Sequence, residues 1–457
     1  VRPKHISAKE YYALKVENLR TYPVYAPGRE PEGYWKKLQA VGPQPLIDRR
    51  ELKREADWIS AGKRVFDEID FLHLRTLDPK YINEARKAPQ GRVLPDGTIF
   101  GARWVPTKEG VALTFSNCSF CHTMFLPDGT RVPGAPFRTI APRPGQTRPA
   151  MGVLARIQME KGVLVGGPPF LMTGEPIGIQ LYRAYGVPWR KDDVHERLKS
   201  VQHSDYEELD FAARQGGITR WNGSPLFPAK VPDLIGIKDR KYIDHTATHL
   251  NRGIGDIMRY AALVTSAEAS EFGPHQMMGN NTRRTGLRVS DEALYALSLY
   301  LYSLQPPPNP NAFGPEAAAG QKLFQRECAS CHVPPLYTSN KLTLAQGFEV
   351  PKNRPKSLNV LPISVGTDPG LALLTRKGTG YYKVPSLKGL WYRGRYLHDG
   401  SVASLEEMLN PNRLKDTHVP GGFRPLGSNA RAIPGHTFGL NLKPEERQQL
   451  IAFLKTL

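Results

Sequence analysis

The sequence predicts a mainly α-helical chain built from two similar units, with long loops and an extended N-terminal arm. Three observations predict it. The segments DWISAGKRVFDEI and PEAAAGQKLFQRE share an Ala-Gly-x-x-apolar-Phe pattern at helical spacing. Residues 285–304 (TGLRVSDEALYALSLYLYSL) and 438–457 (FGLNLKPEERQQLIAFLKTL) align at an offset of 153. The 42 Gly and 41 Pro among 457 residues require many turns and long irregular loops.

In chain order, residues 1–50 read as an extended arm with some helix. The first unit spans 51–305. Its opening helix puts Ala61, Gly62, Val65 and Phe66 on one face. A short hairpin is expected around 93–104, and no other stretch alternates convincingly. Residues 126–149 are loop by their Pro and Gly content. The closing helix carries Gly286, Glu292, Leu297, Tyr300, Leu301 and Leu304. Residues 306–311, within QPPPNPN, form a stiff linker. In the second unit, 312–457, Pro315 starts a helix with Ala319, Gly320, Leu323 and Phe324 on one face. The closing helix repeats the first unit's pattern through Gly439, Glu445, Leu450, Phe453, Leu454 and Leu457. Both closing helices follow a cap or Pro start with acidic first-turn residues.

Hydrophobic residues at 40% and charged residues at 23% exclude a wholly disordered chain. No stretch approaches the ~18 apolar residues of a membrane span. With 62 Lys and Arg against 43 Asp and Glu, the net charge is +19, which steers acidic partners toward the surface. The basic residues are spread out, and no zinc-finger, helix-turn-helix or RNA-binding signature accompanies them, so nucleic acid is not the expected partner.

The four cysteines fall in two motifs. CSFCH carries Cys118, Cys121 and His122, and CASCH carries Cys328, Cys331 and His332. C-x-x-C-H is the attachment signature of c-type haem. Two thiols three residues apart on a helical turn reach the two vinyl groups of one haem, and the next His lies under the iron as its proximal ligand. A thioredoxin-like pair needs one such motif, without His in both copies. A zinc site has no need of His directly after each second cysteine. Disulfides three residues apart close loops too small to stabilise much. The expectation is two covalently bound haems c, one on Cys118 and Cys121, the other on Cys328 and Cys331, with iron ligands His122 and His332. Covalent haem attachment belongs outside the bacterial cytoplasm, so a periplasmic or otherwise exported protein with its signal peptide removed is expected. The Ala-Gly-Phe helix resembles the first helix of cytochrome c domains. Phe324 lies four residues before Cys328, whereas Phe66 lies 52 before Cys118, which marks a long insertion in the first unit.

Residues 379–409 (TGYYKVPSLKGLWYRGRYLHDGSVASLEEML) resemble the signature of the dihaem cytochrome c peroxidase superfamily, with its K/R-x-P-S-L-R/K and Y-x-H-D/N-G-S elements. Residues 432–446 (AIPGHTFGLNLKPEE) look most like the rubber-oxygenase branch, where the His of G-H-x-F/Y-G is the distal ligand of the second haem. The resemblance is strong over 313–457 and weaker over 55–304. It implies an oxidoreductase whose first haem meets O2 or peroxide and whose second relays electrons.

For the second haem, His436, His398 and Met408 are distal candidates. The resemblance points to His436, which also sits in a Gly-bracketed loop just before the last helix. His398 reads as a structural histidine on a propionate or the backbone, and Arg393 and Arg395 as propionate partners. At the first haem the repeat puts Arg283, which cannot ligate iron, in the place of His436; His275, Met277 and Met278 lie nearby. The resemblance sets that haem's distal pocket near KYIDHTATH (241–249), making His245 and His249 the candidate acid/base groups or iron ligands there. Trp221 and Trp391 are candidates for transfer between haems, though a packed core Trp is the plainer reading. The alternative function is pure electron transfer, both haems six-coordinate, on an acidic redox partner.

Overall fold

The computed structural model describes residues 4–5, 7–70, 76–88, 91–114, 117–136, 227–266, 271–272, 275–276, 287–352, 357–375, 378–425 and 428–457. Trp221, Met277, Met278 and Arg283 lie outside the described residues. His275 is on a two-residue strand paired with 4–5.

The repeated segments fold as two crossing helix pairs. Glu55–Glu68 packs on Asp291–Ser303, and Pro315–Glu327 on Pro444–Lys455. The Ser290 hydroxyl caps the second of these helices by accepting from Ala293 N, and Pro opens the last two. The crossings match residue for residue. Gly62 lies so close to the Ala296 carbonyl that a Cβ would collide with it, and Gly320 lies likewise on the Gln449 carbonyl. Ala296 and Gln449 are themselves 153 residues apart. One turn further, Phe66 meets Tyr300 at 5.4 Å and 56°, and Phe324 meets Phe453 at 5.2 Å and 55°. Backbone-on-backbone contact thus sets both helix spacings.

Gly320→Ala is therefore expected to destabilise the protein. Overpacking costs about 1–3 kcal/mol, more than the ~1 kcal/mol Ala gains over Gly in a helix interior. A lowered denaturation midpoint checks this; an unchanged or raised one shows that the helices separate freely.

Helices and five small sheets share the described residues, so "mainly α" overstates the helical part. Tyr22–Tyr25, Thr98–Thr107 and Gly110–Thr114 form one antiparallel sheet. Leu342–Leu344 lies between Val360–Ser364 and Tyr381–Lys383 in another. Val93 pairs antiparallel with Ile99 across a tight turn inside the expected 93–104, and the longer ladder runs on through 98–114, turning at Lys108 and Glu109. Its long strand is buried on both faces, from Ile99 and Phe100 through Ala102, Trp104 and Val105, which erases the alternation that marks a half-exposed strand. The N-terminal segment is also less of an arm than expected. Val24 and Leu38 are buried in the core around Trp104, and Leu46 is buried with Phe66. Pairing of Tyr22–Tyr25 to the hairpin removes the unmet backbone groups an extended arm would leave.

The linker rests on the last helix, with Asn309 Nδ2 donating to Lys455 O at 2.8 Å. Two backbone bonds lace the middle of the chain to the segment after the second CxxCH. Lys230 N donates to His398 O at 2.7 Å, and Lys383 N to His245 O at 3.0 Å. Among the described residues, no helix is long and apolar enough to cross a membrane.

Candidate haem site

Both C-x-x-C-H segments form the same turn. His122 N donates to Cys118 O at 3.1 Å, and His332 N to Cys328 O at 3.0 Å. The first is the single helical turn Cys118–Cys121, with one cysteine at each end and both of them half-buried. Asn117 starts this turn: its Oδ1 accepts from Phe120 N and Ser119 Oγ, each at 2.9 Å, and its Nδ2 donates to Gly101 O. In the second motif Cys328 itself ends the Pro315–Glu327 helix, donating to Phe324 O at 2.9 Å. None of the four cysteines is in a disulfide. Burial, with Glu327 beside it, pushes the Cys328 thiol up to about 12. At neutral pH it is protonated, unlike the thiolate of a redox dithiol.

Cys328, Cys331 and His332 open onto a cavity of about 220 Å³, with His436 on its wall. Cys118, Cys121 and His122 lie outside that cavity, so the two motifs do not share one site. The His332 ring places Nδ1 3.2 Å from Tyr337 O. A proton donated there leaves the Nε2 lone pair for a metal. The His436 ring faces it with centroids 6.3 Å apart and planes at 55°. Two metal–nitrogen bonds of roughly 2 Å, plus about 1 Å from each nitrogen to its ring centre, put opposed imidazoles about 6 Å apart. His436 Nδ1 is buried with no hydrogen-bond partner among the described residues. Burial pushes both rings down to about 4, so both are neutral, the form that binds metal.

His398 lines the same cavity but stacks on Tyr382 at 4.4 Å and 23°, with Nε2 3.3 Å from the Tyr382 hydroxyl. Met408 is also on the wall. Arg393 reaches the cavity, donating Nη2 to Ser386 O at 2.7 Å with Nε 3.7 Å from Asp233. Arg395 is not among the residues lining it; its carbonyl accepts from Lys230 Nζ at 3.0 Å. Trp391 and Tyr392 belong to the core packed around Phe66, which Cys118 also touches.

His245 differs from expectation. It lines the cavity of Cys328 and His332, because its backbone is bonded to Lys383 and its Nε2 lies 2.7 Å from Lys230 O. Burial pushes it down to about 3, so it stays neutral. With Nε2–H donated to that carbonyl, Nδ1 is the ring nitrogen left to accept a proton. His249 is placed otherwise. Its Nδ1 is 3.1 Å from Asp244 Oδ2, and its ring packs edge-on to Tyr260, which borders the same core as Cys118.

Sequence reasoning missed the cations around this cavity. Lys230 and Lys383 line it beside Arg393, and Arg240 lies in the adjoining cleft. Arg240 donates to the carbonyls of Asp233 and Ile235, and Lys383 Nζ to Tyr242 O and Ile243 O. Asp233 is the carboxylate nearest Arg240 and Arg393. Burial, with Arg240 beside it, pushes Lys383 down to about 7. Such a cluster of half-buried basic groups around buried Arg393 suits carboxylates like haem propionates. The thiols, the opposed imidazoles and these cations together fit a covalently attached haem c.

Comparison with known proteins bears on the same residues. The family described as RoxA-like, cytochrome c-like matches residues 380–418. The methylamine utilization protein MauG of Methylorubrum extorquens is 27% identical over 154 residues, 32% of this chain and 36% of that protein. An uncharacterized protein of Sinorhizobium fredii is 34% identical over 109 residues, 17% of this chain and 18% of that one. The chain thus matches little more than a third of the first relative's length and under a fifth of the second's. Among solved structures, Kuenenia stuttgartiensis hydrazine synthase gives a TM-score of 0.29 at 15% identity, covering 69% of this chain and 98% of that one. A MauG-like protein associated with microbial copper homeostasis gives 0.32 at 16%, covering 59% and 91%. Neither score is high enough to define a fold. The family match falls on residues that wall the cavity, and with the MauG match it supports a likeness to the dihaem cytochrome c peroxidase-like superfamily.

Proposed function

We propose that this chain is an exported dihaem c-type cytochrome and an oxidoreductase. In this reading the CSFCH site, with its haem on Cys118 and Cys121, is open to O2 or peroxide. The CASCH site, closed by His332 and His436, passes electrons. The observation that carries it is the pair of neutral imidazoles facing each other at 6.3 Å across a cavity that also holds Cys328 and Cys331. Two strong-field ligands favour a low-spin centre suited to relay rather than to binding a substrate.

Bound haem supplies the one-electron and O2 chemistry. The chain supplies orientation and proton handling. Asp244 accepts from Thr248 N at 2.8 Å with one oxygen and faces His249 Nδ1 with the other. That pairing fixes the ring and leaves Nε2 to take a proton from a small oxidant and return it. The alignment of Arg283 with His436 supports a first site without a matching ligand. Buried Arg393, with half-buried Lys230, Arg240 and Lys383 around Asp233, supports propionate binding.

Mixing the semi-reduced protein with peroxide or O2 is expected to shift the Soret band of one haem only. His249→Ala should slow that reaction by about 100-fold or more, the usual size of a general acid–base contribution. No shift in any redox state, with two low-spin EPR signals, would instead leave an electron carrier. Such a carrier would dock on an acidic redox partner through its +19 charge.

A further inference from the structure

Arg413 is fully buried in the turn Pro411–Leu414, and among the described residues no carboxylate pairs with it. Its guanidinium is spent on backbone carbonyls. Nε donates to Met408 O at 2.9 Å, Nη1 to Ile433 O at 2.6 Å, and Nη2 to both Gly435 O and His436 O at 2.8 Å. Its own carbonyl accepts from Ile433 N at 2.7 Å. Three of the four acceptors thus belong to the loop that ends on His436. That loop needs holding. His436 has φ 45°, a left-handed conformation unfavourable for a residue with a Cβ. Gly435 presses on Gly366 and Thr367 so closely that a Cβ would collide, and His436 N donates to Val365 O at 2.6 Å. The 365–367 backbone closes one side of the loop, and Arg413 closes the other.

We infer that Arg413 is the positioning residue for the second axial imidazole: its fork of carbonyl contacts keeps His436 opposed to His332, and the closed state of that haem depends on it. The inference rests on the proposed ligation by His436. A planar fork with several donors is what a set of divergent carbonyls requires, and a Lys ammonium on a single stem cannot span them.

The test uses the holoprotein. In Arg413→Met, covalent haem content by mass should be unchanged, while the low-spin EPR signal of the second haem gives way to a high-spin one. Most of that ferrous haem should then bind CO. Arg413→Lys, the milder change, should give a mixed population. Gly62→Ala, a destabilising change in the other helix pair, should leave the second haem closed, which separates positioning from general loss of stability. In Arg413→Met/His436→Ala, CO binding should not exceed that of His436→Ala alone. If His436→Ala opens the haem but Arg413→Lys stays as low-spin and CO-inert as the unaltered protein, the positioning role is overturned, whether or not Arg413→Met folds. If His436→Ala itself changes nothing, it is the proposed ligation that fails.

Discussion

Mass spectrometry of the Cys328→Ala/Cys331→Ala protein is expected to show one haem fewer than the unaltered chain. The two thiols stand side by side on one turn, outside any disulfide, and open onto the cavity that His332 and His436 wall. In the proposed reading they are the attachment points, and the other two cysteines, Cys118 and Cys121, lie outside that cavity and cannot substitute. The loss should also be large in stability. Binding free energy of a group that only the folded state can hold is folding free energy. Without the cofactor the cavity keeps its lining of Leu390, Leu405 and Leu450 but loses the contacts that fill it. His436 Nδ1 and Arg393 remain buried at the same time. The second helix pair should therefore melt at markedly lower denaturant than in the unaltered protein. An unchanged mass, or zinc in the place of haem, would refute covalent attachment at CASCH.

The second large effect is expected from His436→Ala. Removing the imidazole leaves His332 as sole protein ligand, and the ferrous haem should bind CO where the unaltered one does not. The fold should survive, because the backbone of the 433–436 loop keeps its bonds to Arg413 and Val365. Alanine also leaves a hole of imidazole size on the iron's open side, so exogenous imidazole should restore the low-spin spectrum. A spectrum unchanged by the substitution would transfer the ligand role to Met408 or His398. His398 is the less suited of the two, being stacked on Tyr382 and bonded to its hydroxyl.

Several of these features were legible in the sequence, for a common reason. The attachment motif is local, so its chemistry is written in five consecutive residues. The helix repeat is legible because close backbone approach admits no side chain: Gly62 and Gly320 are required where Ala296 and Gln449 press on them. The rest was hidden by partners that leave no pattern. Arg413 binds carbonyls, and every residue has one. Lys383 was in plain view as the first residue of K-V-P-S-L, but its partners Tyr242 and Ile243 are some 140 positions away. That His245 lines the cavity of Cys328 was hidden, because nothing in the sequence signals that Lys383 binds its backbone carbonyl. The Thr98–Thr107 strand and its partner Gly110–Thr114 run past the expected hairpin at 93–104, because burial on both faces removes the period.

The two C-x-x-C-H turns are alike in shape but not in how they are anchored. Cys328 is the last cap of a helix whose spacing is set by Gly320, so its sulfur is rigidly continuous with the second helix pair. Cys118 and Cys121 are reached only after the long stretch that follows Glu68; their turn packs on the Glu55–Glu68 helix and is bonded to the central strand of the hairpin sheet through Asn117 and Gly101. A centre tied to a stiff frame changes charge with little nuclear rearrangement, which favours fast and repeated electron hops. In the proposed reading, a centre joined to its helix pair by packing rather than by chain continuity has more freedom to yield, and that compliance suits admitting and releasing a reactant. In that reading, the same cofactor chemistry rests on two kinds of anchorage, one continuous with a helix and one packed against it.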